Sequence, residues 1–277
     1  MKEKRMLSES ILTENEDIIV MNDGLLPKEY WRQYWQGISL PTIAKPMSMY
    51  DIHRTLDNIL PKSSKMSFIE IGCAPGRNMA YFNKYFSYSV AGIEYVEEAA
   101  AATRQNMEMQ GIHAQILNLD FFQAAFSPAS YDVVFSCGFI EHFEDLRGAV
   151  NKISFLAKQY VVTIIPNCYG VNGLISRTIR PKVFYGHKRI DKKHLRHLHE
   201  ESRLNTLYCD YVGGFQFIMP ATKTAFFDKN KRLAKTINVP FMIFNVMSRT
   251  FSRYTNLFPR TKFLARSLMY IGEKRDV

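Results

Sequence analysis

The chain has 277 residues, 47% hydrophobic and 13% aromatic, enough to bury a full core and incompatible with disordered, collagen-like or coiled-coil chains. No apolar run reaches the roughly 18 residues needed to span a bilayer, and the polar start MKEKRMLSES has no secretory character. The net charge of +10 is uneven: residues 1–170 carry 15 Lys+Arg against 19 Asp+Glu, residues 171–277 carry 21 against 7.

Residues 1–65 read as a preface with a polar lead, an aromatic cluster (Tyr30, Trp31, Tyr34, Trp35) and a predicted helix over Met47–Leu60. From residue 67, apolar runs alternate with helical patterns. Predicted strands are Ser67–Gly72, Ser89–Glu94, Ala114–Leu119, Asp132–Ser136 and Tyr160–Pro166, with helices near 77–86, 96–110 and 145–157. Near-continuous apolar strands suit a parallel sheet covered on both faces, so the expected fold is a doubly wound α/β sheet. A strand at Thr206–Val212, helical basic and aromatic material over 217–262, and a closing strand at Ser267–Gly272 complete the chain. Cys73, Cys137, Cys168 and Cys209 form no C-x-x-C pair or zinc spacing, so a reducing cytoplasm and no structural metal are expected.

The informative stretch is Phe68-Ile69-Glu70-Ile71-Gly72-Cys73-Ala74-Pro75-Gly76-Arg77-Asn78. A strand ends in an acid, and two glycines four apart enter a helix. Glycines there let the backbone turn sharply and approach a ligand. Ala74 stands where the dinucleotide fingerprint needs glycine, and no Gly-Lys-Ser/Thr follows for a P-loop.

This stretch resembles motif I of the class I S-adenosylmethionine-dependent methyltransferases. Glu94 closes the second strand 18 residues beyond Gly76, Asp120 closes the third, and Tyr131–Cys137 matches the fourth, opened by Asp132. The match covers roughly residues 66–166. It implies a seven-stranded Rossmann-like sheet of order 3-2-1-4-5-7-6 with the last strand antiparallel. It also implies S-adenosylmethionine as cofactor, held by Glu70, Gly72, Ala74, Gly76, Glu94, Asp120, Phe121 and Cys137. In that family Glu94 would grip the ribose hydroxyls, Asp120 the adenine amino group, and Phe121 the adenine ring. Asp132, at the opposite strand end, reads as structural.

Methyl transfer asks the protein to align donor and acceptor and exclude water; an oxygen acceptor also needs a base. Gly138-Phe139-Ile140-Glu141-His142-Phe143 resembles the Glu-His segment of small-molecule O-methyltransferases such as those of ubiquinone biosynthesis. His142, with a reference pKa near 6.5, is the candidate base, and Glu141 would orient it or bind a metal. His142 packing under the adenosyl group, or capping the next helix, stays open. His187 falls where the family's loop after strand five approaches the acceptor. His194, His197 and His199 do not share one helical face and read as a solvated helix. Tyr30, Trp31 and Trp35 would face the site from a short lid helix; both indoles, four apart, share a face. The segment resembles the opening of thiopurine-type methyltransferases, and a hydrophobic clasp on the sheet edge is the alternative.

Four parts are therefore expected: a lid over 1–65, a cofactor-binding core over 66–216, a basic helical insertion over 217–262 and a closing strand over 263–277. The insertion interleaves Phe241, Phe244, Met247, Phe251, Tyr254, Leu257 and Phe258 with Lys229, Arg249, Arg253, Arg260 and Lys262. It suits a roof over the acceptor, a homodimer contact or a peripheral membrane surface through 229–262. Nucleic acid ranks last, since no recognisable binding module accompanies the charge. The expected activity is O-methylation of a small molecule or glycan, lipid-linked or phosphate-bearing. N- or S-methylation, an RNA methyltransferase and a non-catalytic cofactor-binding protein are the alternatives.

Overall fold

A computed structural model describes residues 25–44, 50–179, 181–217, 230–255 and 260–275. The polar lead, Met47, Lys229, Leu257 and Phe258 lie outside the described residues.

The strands are β1 (Ser67–Ile71), β2 (Ser89–Glu94), β3 (Ala114–Asn118), β4 (Tyr131–Cys137), β5 (Ala157–Pro166), β6 (Leu204–Phe215) and β7 (Ala265–Lys274). They form one sheet of order β3-β2-β1-β4-β5-β7-β6, parallel through β5, with β7 antiparallel to both neighbours. This is the implied order. The chain steps from β1 out to β3 and returns to β4 on the other side of β1. That reversal opens a crevice at the carboxyl ends of the strands, where such sheets bind ligands.

Alternation along β1 sends Phe68 into one core and Ile69 and Ile71 into the other. Helices α1 (Lys28–Trp35), α2 (Tyr50–Ile59), α3 (Arg77–Phe86) and α4 (Glu97–Met109) precede β3; α5 (Leu146–Leu156) joins β4 to β5. The first core packs Phe68, Phe82, Tyr88 and Phe135; the second packs Ile69, Val134, Ile153 and Leu156. Each such side chain, fully buried, contributes roughly 1.5–3 kcal/mol. Asp132 accepts from both the backbone N–H (2.7 Å) and the hydroxyl (2.6 Å) of Ser67, tying the starts of β4 and β1 far from the crevice.

After β5 come α6 (Gly170–Ile179), α7 (Pro181–Tyr185) and α8 (Lys192–Glu201); α6 and α7 are helices the sequence pattern does not announce. The solvated reading of the α8 histidines is corrected at His199, which is fully buried. Its Nδ1–H donates to the Leu195 carbonyl (2.8 Å), so Nε2 accepts from the Thr163 hydroxyl (2.9 Å), and the ring stacks on Tyr270. Helix α9 (Lys231–Thr255) lies within the stretch expected as a basic insertion and is continuous through Pro240. Buried Asn245 clasps it to the end of β6, accepting from Phe217 N–H (2.7 Å) and donating to Phe217 C=O (2.8 Å). Met242, Met247, Phe251 and Tyr254 on α9 are exposed. Among the described residues no helix is long and apolar enough to cross a membrane.

Candidate functional site

The glycine loop leaves β1 with Gly72 at φ +71° and Gly76 at φ +84°, both in the left-handed region. The Gly72 and Cys73 amides donate to the Ile93 carbonyl at 2.9 and 3.0 Å, pinning the loop to the end of β2. A Cβ at Gly76 would lie 2.8 Å from Met107 Cε, and one at Gly72 would lie 3.2 Å from the Phe139 ring. Glu94 ends β2 and accepts from Ala74 N–H through Oε2 (3.2 Å) and from Val96 N–H through Oε1 (3.0 Å). Burial raises its pKa. Each oxygen keeps a lone pair for a further donor.

Glu70 is 2% exposed; its Oε1 accepts from Asn78 Nδ2 (2.6 Å), while Oε2 has no partner. Burial raises this carboxyl to about 8. Beyond β3, Asp120 Oδ1 accepts from Phe122 N–H (2.9 Å) and shapes the turn. Phe121 is turned into the second core against Phe126 and Phe139, leaving Phe122 the more open ring. Cys137 ends β4, and burial pushes its thiol to about 12. An orphaned buried acceptor, a two-oxygen carboxylate at the end of β2 and a loop whose Gly72 and Gly76 carry no Cβ fit a cofactor bearing an ammonium and a ribose.

Two residues that support this loop escape sequence reasoning. Asn78 partners Glu70, and fully buried Asn106 on α4 donates to the Pro75 carbonyl at 2.7 Å. The available signal for Asn106 is an amide inside an otherwise apolar helical stripe.

Across the crevice, a short 3₁₀ turn over Ile140–His142 follows β4. Leu25 N–H donates to the His142 carbonyl and Lys188 N–H to the Glu141 carbonyl, both at 2.7 Å. The N-terminal segment and the loop after α7 are thus docked on the same turn. His142 Nδ1 lies 3.0 Å from the Gly186 carbonyl. A carbonyl only accepts, so the proton sits on Nδ1 and Nε2 carries the lone pair. That Nε2 lies 3.9 Å from Glu141 Oε1. Glu141 is 1% exposed, and neither carboxylate oxygen has a hydrogen-bond partner.

The His187 ring centre is 4.4 Å from that of His142, and Trp31 meets His142 edge-on at 4.7 Å. Tyr30 packs on Trp31 and Tyr34, and Trp35 on Tyr34, so of the α1 aromatics Trp31 is the one seen against His142. Helix α1 also reaches the cofactor side, with Arg32 on Glu98 (2.8 Å) and Lys28 Nζ 4.1 Å from the centre of the Tyr95 ring. Burial raises Glu141 to about 8. Burial first, then His187, push His142 down to about 3 against the opposing Gly186 carbonyl. Burial thus works against the near-neutral titration expected of His142 and favours its neutral imidazole.

Residues 69–162 match the family model described as a methyltransferase domain. No curated protein matches. Among solved structures, phosphoethanolamine N-methyltransferase 2 of Haemonchus contortus, in complex with S-adenosyl-L-methionine, is similar at 14% identity and TM-score 0.55. The alignment covers 81% of this chain and 52% of that one, so this chain spans about half of the nematode enzyme. The YcgJ protein of Bacillus subtilis is similar over 82% of this chain and 99% of its own, at 14% identity and TM-score 0.53. Geranyl diphosphate C-methyltransferase of Streptomyces coelicolor is similar over 80% and 74%, at 12% identity and TM-score 0.54.

Proposed function

We propose that this chain, whose residues 69–162 match a methyltransferase domain, is a class I S-adenosylmethionine-dependent methyltransferase and that the cluster at the end of β4 receives a hydroxyl acceptor on a small molecule or glycan. The single observation that carries this is the gathering of buried Glu141 and His142 with half-buried His187, whose potential ligand atoms lie within 4.8 Å of one another. The gathering adjoins the glycine loop, since Phe139 just ahead of it stands against Gly72. A hydroxyl must shed its proton to attack, whereas a neutral amine or a thiolate needs no such help.

When bound, S-adenosylmethionine supplies a methyl group made electrophilic by the sulfonium. Glu70, Gly72, Ala74, Gly76, Glu94, Asp120 and Cys137 would hold it. The chain contributes alignment: backbone bonds from Leu25 and Lys188 fix the Glu141-His142 turn, and Gly186 fixes the imidazole tautomer. Trp31 on α1 would cover His142 and keep water out, with Tyr30 and Trp35 shaping the lid around it. His187 would contact the acceptor. The basic C-terminal third favours an acceptor bearing phosphate, lipid-linked or free, and the exposed apolar side of α9 would rest on a membrane surface. The nematode and Streptomyces enzymes are named for phosphate-bearing substrates, which supports an anionic acceptor.

Methylation of an amine is the second reading, favoured by the weak basicity of His142. The test is incubation with labelled cofactor and a cell extract separated into small-molecule, lipid, RNA and protein fractions, with mass spectrometry locating the methyl group. Label on an oxygen of a small molecule or lipid-linked saccharide is expected. Label confined to RNA or protein, or methyl found on nitrogen, refutes the proposal.

A further inference from the structure

We propose that Glu141, His142 and His187 form a site for one divalent transition-metal ion, with open coordination positions for the acceptor oxygen. The proposal deepens the hydroxyl reading above and rests on it only for the identity of that oxygen.

The buried Glu141 carboxylate has no side-chain donor and makes no hydrogen bond of ordinary geometry, although the backbone N–H groups of Phe139 and of Glu141 itself lie near it. Glu141 is 1% exposed, and its ion-pair contact among the described residues is His142 at 3.9 Å. A buried carboxylate is paired, protonated or bound to a metal. The atom facing it, His142 Nε2, is a lone pair and not a donor, because the proton is held on Nδ1 by the Gly186 carbonyl. A backbone carbonyl orienting one ring nitrogen so that the other can ligate is the usual support of a metal-binding imidazole. His187 completes the set from the loop that Lys188 N–H anchors to Glu141.

The separations suit an ion. Ligands about 2.0–2.2 Å from a common metal stand roughly 3–3.5 Å apart in tetrahedral or octahedral arrangements. The three candidate atoms already lie within 4.8 Å, so side-chain rotations of an ångström or so close the site. Two imidazole nitrogens and one carboxylate oxygen select manganese-to-zinc cations over magnesium or calcium, which prefer all-oxygen shells. Three protein ligands leave positions open, as in sites that act on a substrate. The neighbouring cation Lys188 is drawn aside by its pair with Glu144.

The test titrates the full chain with Co²⁺, read by visible ligand-field absorption, and with Mn²⁺, read by loss of the free-ion paramagnetic resonance signal. One ion per chain is expected, with quenching of tryptophan fluorescence through Trp31. Glu141→Gln and His187→Ala should each weaken the ion about tenfold or more. His187 is half-buried, and His187→Ala should keep its affinity for S-adenosylhomocysteine, which shows that the fold is intact. Absence of Co²⁺ and Mn²⁺ binding by the wild type, or binding unchanged in both variants, overturns the proposal. Hydroxyl methylation that persists at full rate in chelator, with no ion bound, overturns it while leaving the acceptor reading intact. An ion at this site in an enzyme that methylates only amines keeps the site and refutes the acceptor reading.

Discussion

Replacing Asn106 by alanine should loosen the glycine loop and the fold together. The side chain sits on α4 with no exposure. Its Oδ1 accepts from Thr42 N–H (2.7 Å), and its Nδ2 donates to the carbonyls of Thr42 (2.8 Å) and Pro75 (2.7 Å). One amide thus joins the N-terminal segment, the loop and α4. In Asn106→Ala the Thr42 carbonyl keeps Gln110 as a donor at 3.1 Å, but Thr42 N–H and Pro75 C=O are stranded. At about 1–3 kcal/mol for the buried Pro75 carbonyl and about 1 kcal/mol for the half-buried Thr42 N–H, the expected loss is about 2–4 kcal/mol. For a chain of this size that lowers Tm by roughly 4–15 °C. Urea denaturation measures the stability, and calorimetric titration with S-adenosylhomocysteine measures the loop, where about tenfold weaker binding is expected. Asn106→Asp keeps the acceptor but turns a charge toward two carbonyls, so it should be no more stable than Asn106→Ala. A loss under about 1 kcal/mol in Asn106→Ala with unchanged ligand affinity would refute the clamp.

Gly76→Val places a Cβ 2.8 Å from Met107 Cε on a backbone at φ +84°, which costs about 1–2 kcal/mol in backbone strain alone. Calorimetry should show S-adenosylhomocysteine affinity falling more than about tenfold, which is over 1.4 kcal/mol. Trp31→Ala should raise the acceptor KM while shifting stability by less than about 1 kcal/mol, because α1 buries none of its residues; steady-state kinetics and urea melts separate the two. Asp191 caps α8 by accepting from His194 N–H (3.1 Å), and Asp191→Ala should cost about 1 kcal/mol at neutral pH. That backbone bond first, then Lys262, holds the Asp191 carboxyl below its usual value. A lowered folded pKa contributes stability above the unfolded value near 4 and loses it as pH falls through the folded one, so the two denaturation curves should converge in acid.

The sheet was legible because β1, β2 and β4 are apolar on both faces and end at acids or turns. Helix α4 was legible from the repeat of Ala99, Ala100, Thr103 and Met107. Strand β5 begins at Ala157, three residues earlier than the apolar run suggests. Lys158 and Gln159 are exposed there, and nothing in their side chains announces the strand. Glu141 and His142 could be read as a pair from their place after β4. His187 was placed near the acceptor through the family resemblance; its contact with His142, 45 residues away, depends on how the loop after α7 folds back. Asn78 and Asn106 were silent for the same reason: an amide's partners are chosen by tertiary packing, not by neighbours in sequence. The lowered pKa of His142 was equally hidden, since burial and not residue type sets it.

Helix α1 buries none of its residues and is held by the exposed Arg32–Glu98 pair, the Lys28 contact with Tyr95, the Trp31 edge and the Leu25 amide bond. Exposed ion pairs contribute about 0–1 kcal/mol and weaken with salt. Attachment of that strength is far below the free energy that holds a sheet of seven strands together, so α1 is expected to lift and reseat many times for each global unfolding. Amide hydrogen exchange at Leu25 should therefore run orders of magnitude faster than at Ile69 or Val134, and faster again as ionic strength rises. The two ends of one site then live on different clocks, a fixed floor of strands and a cover that renews its contacts continually.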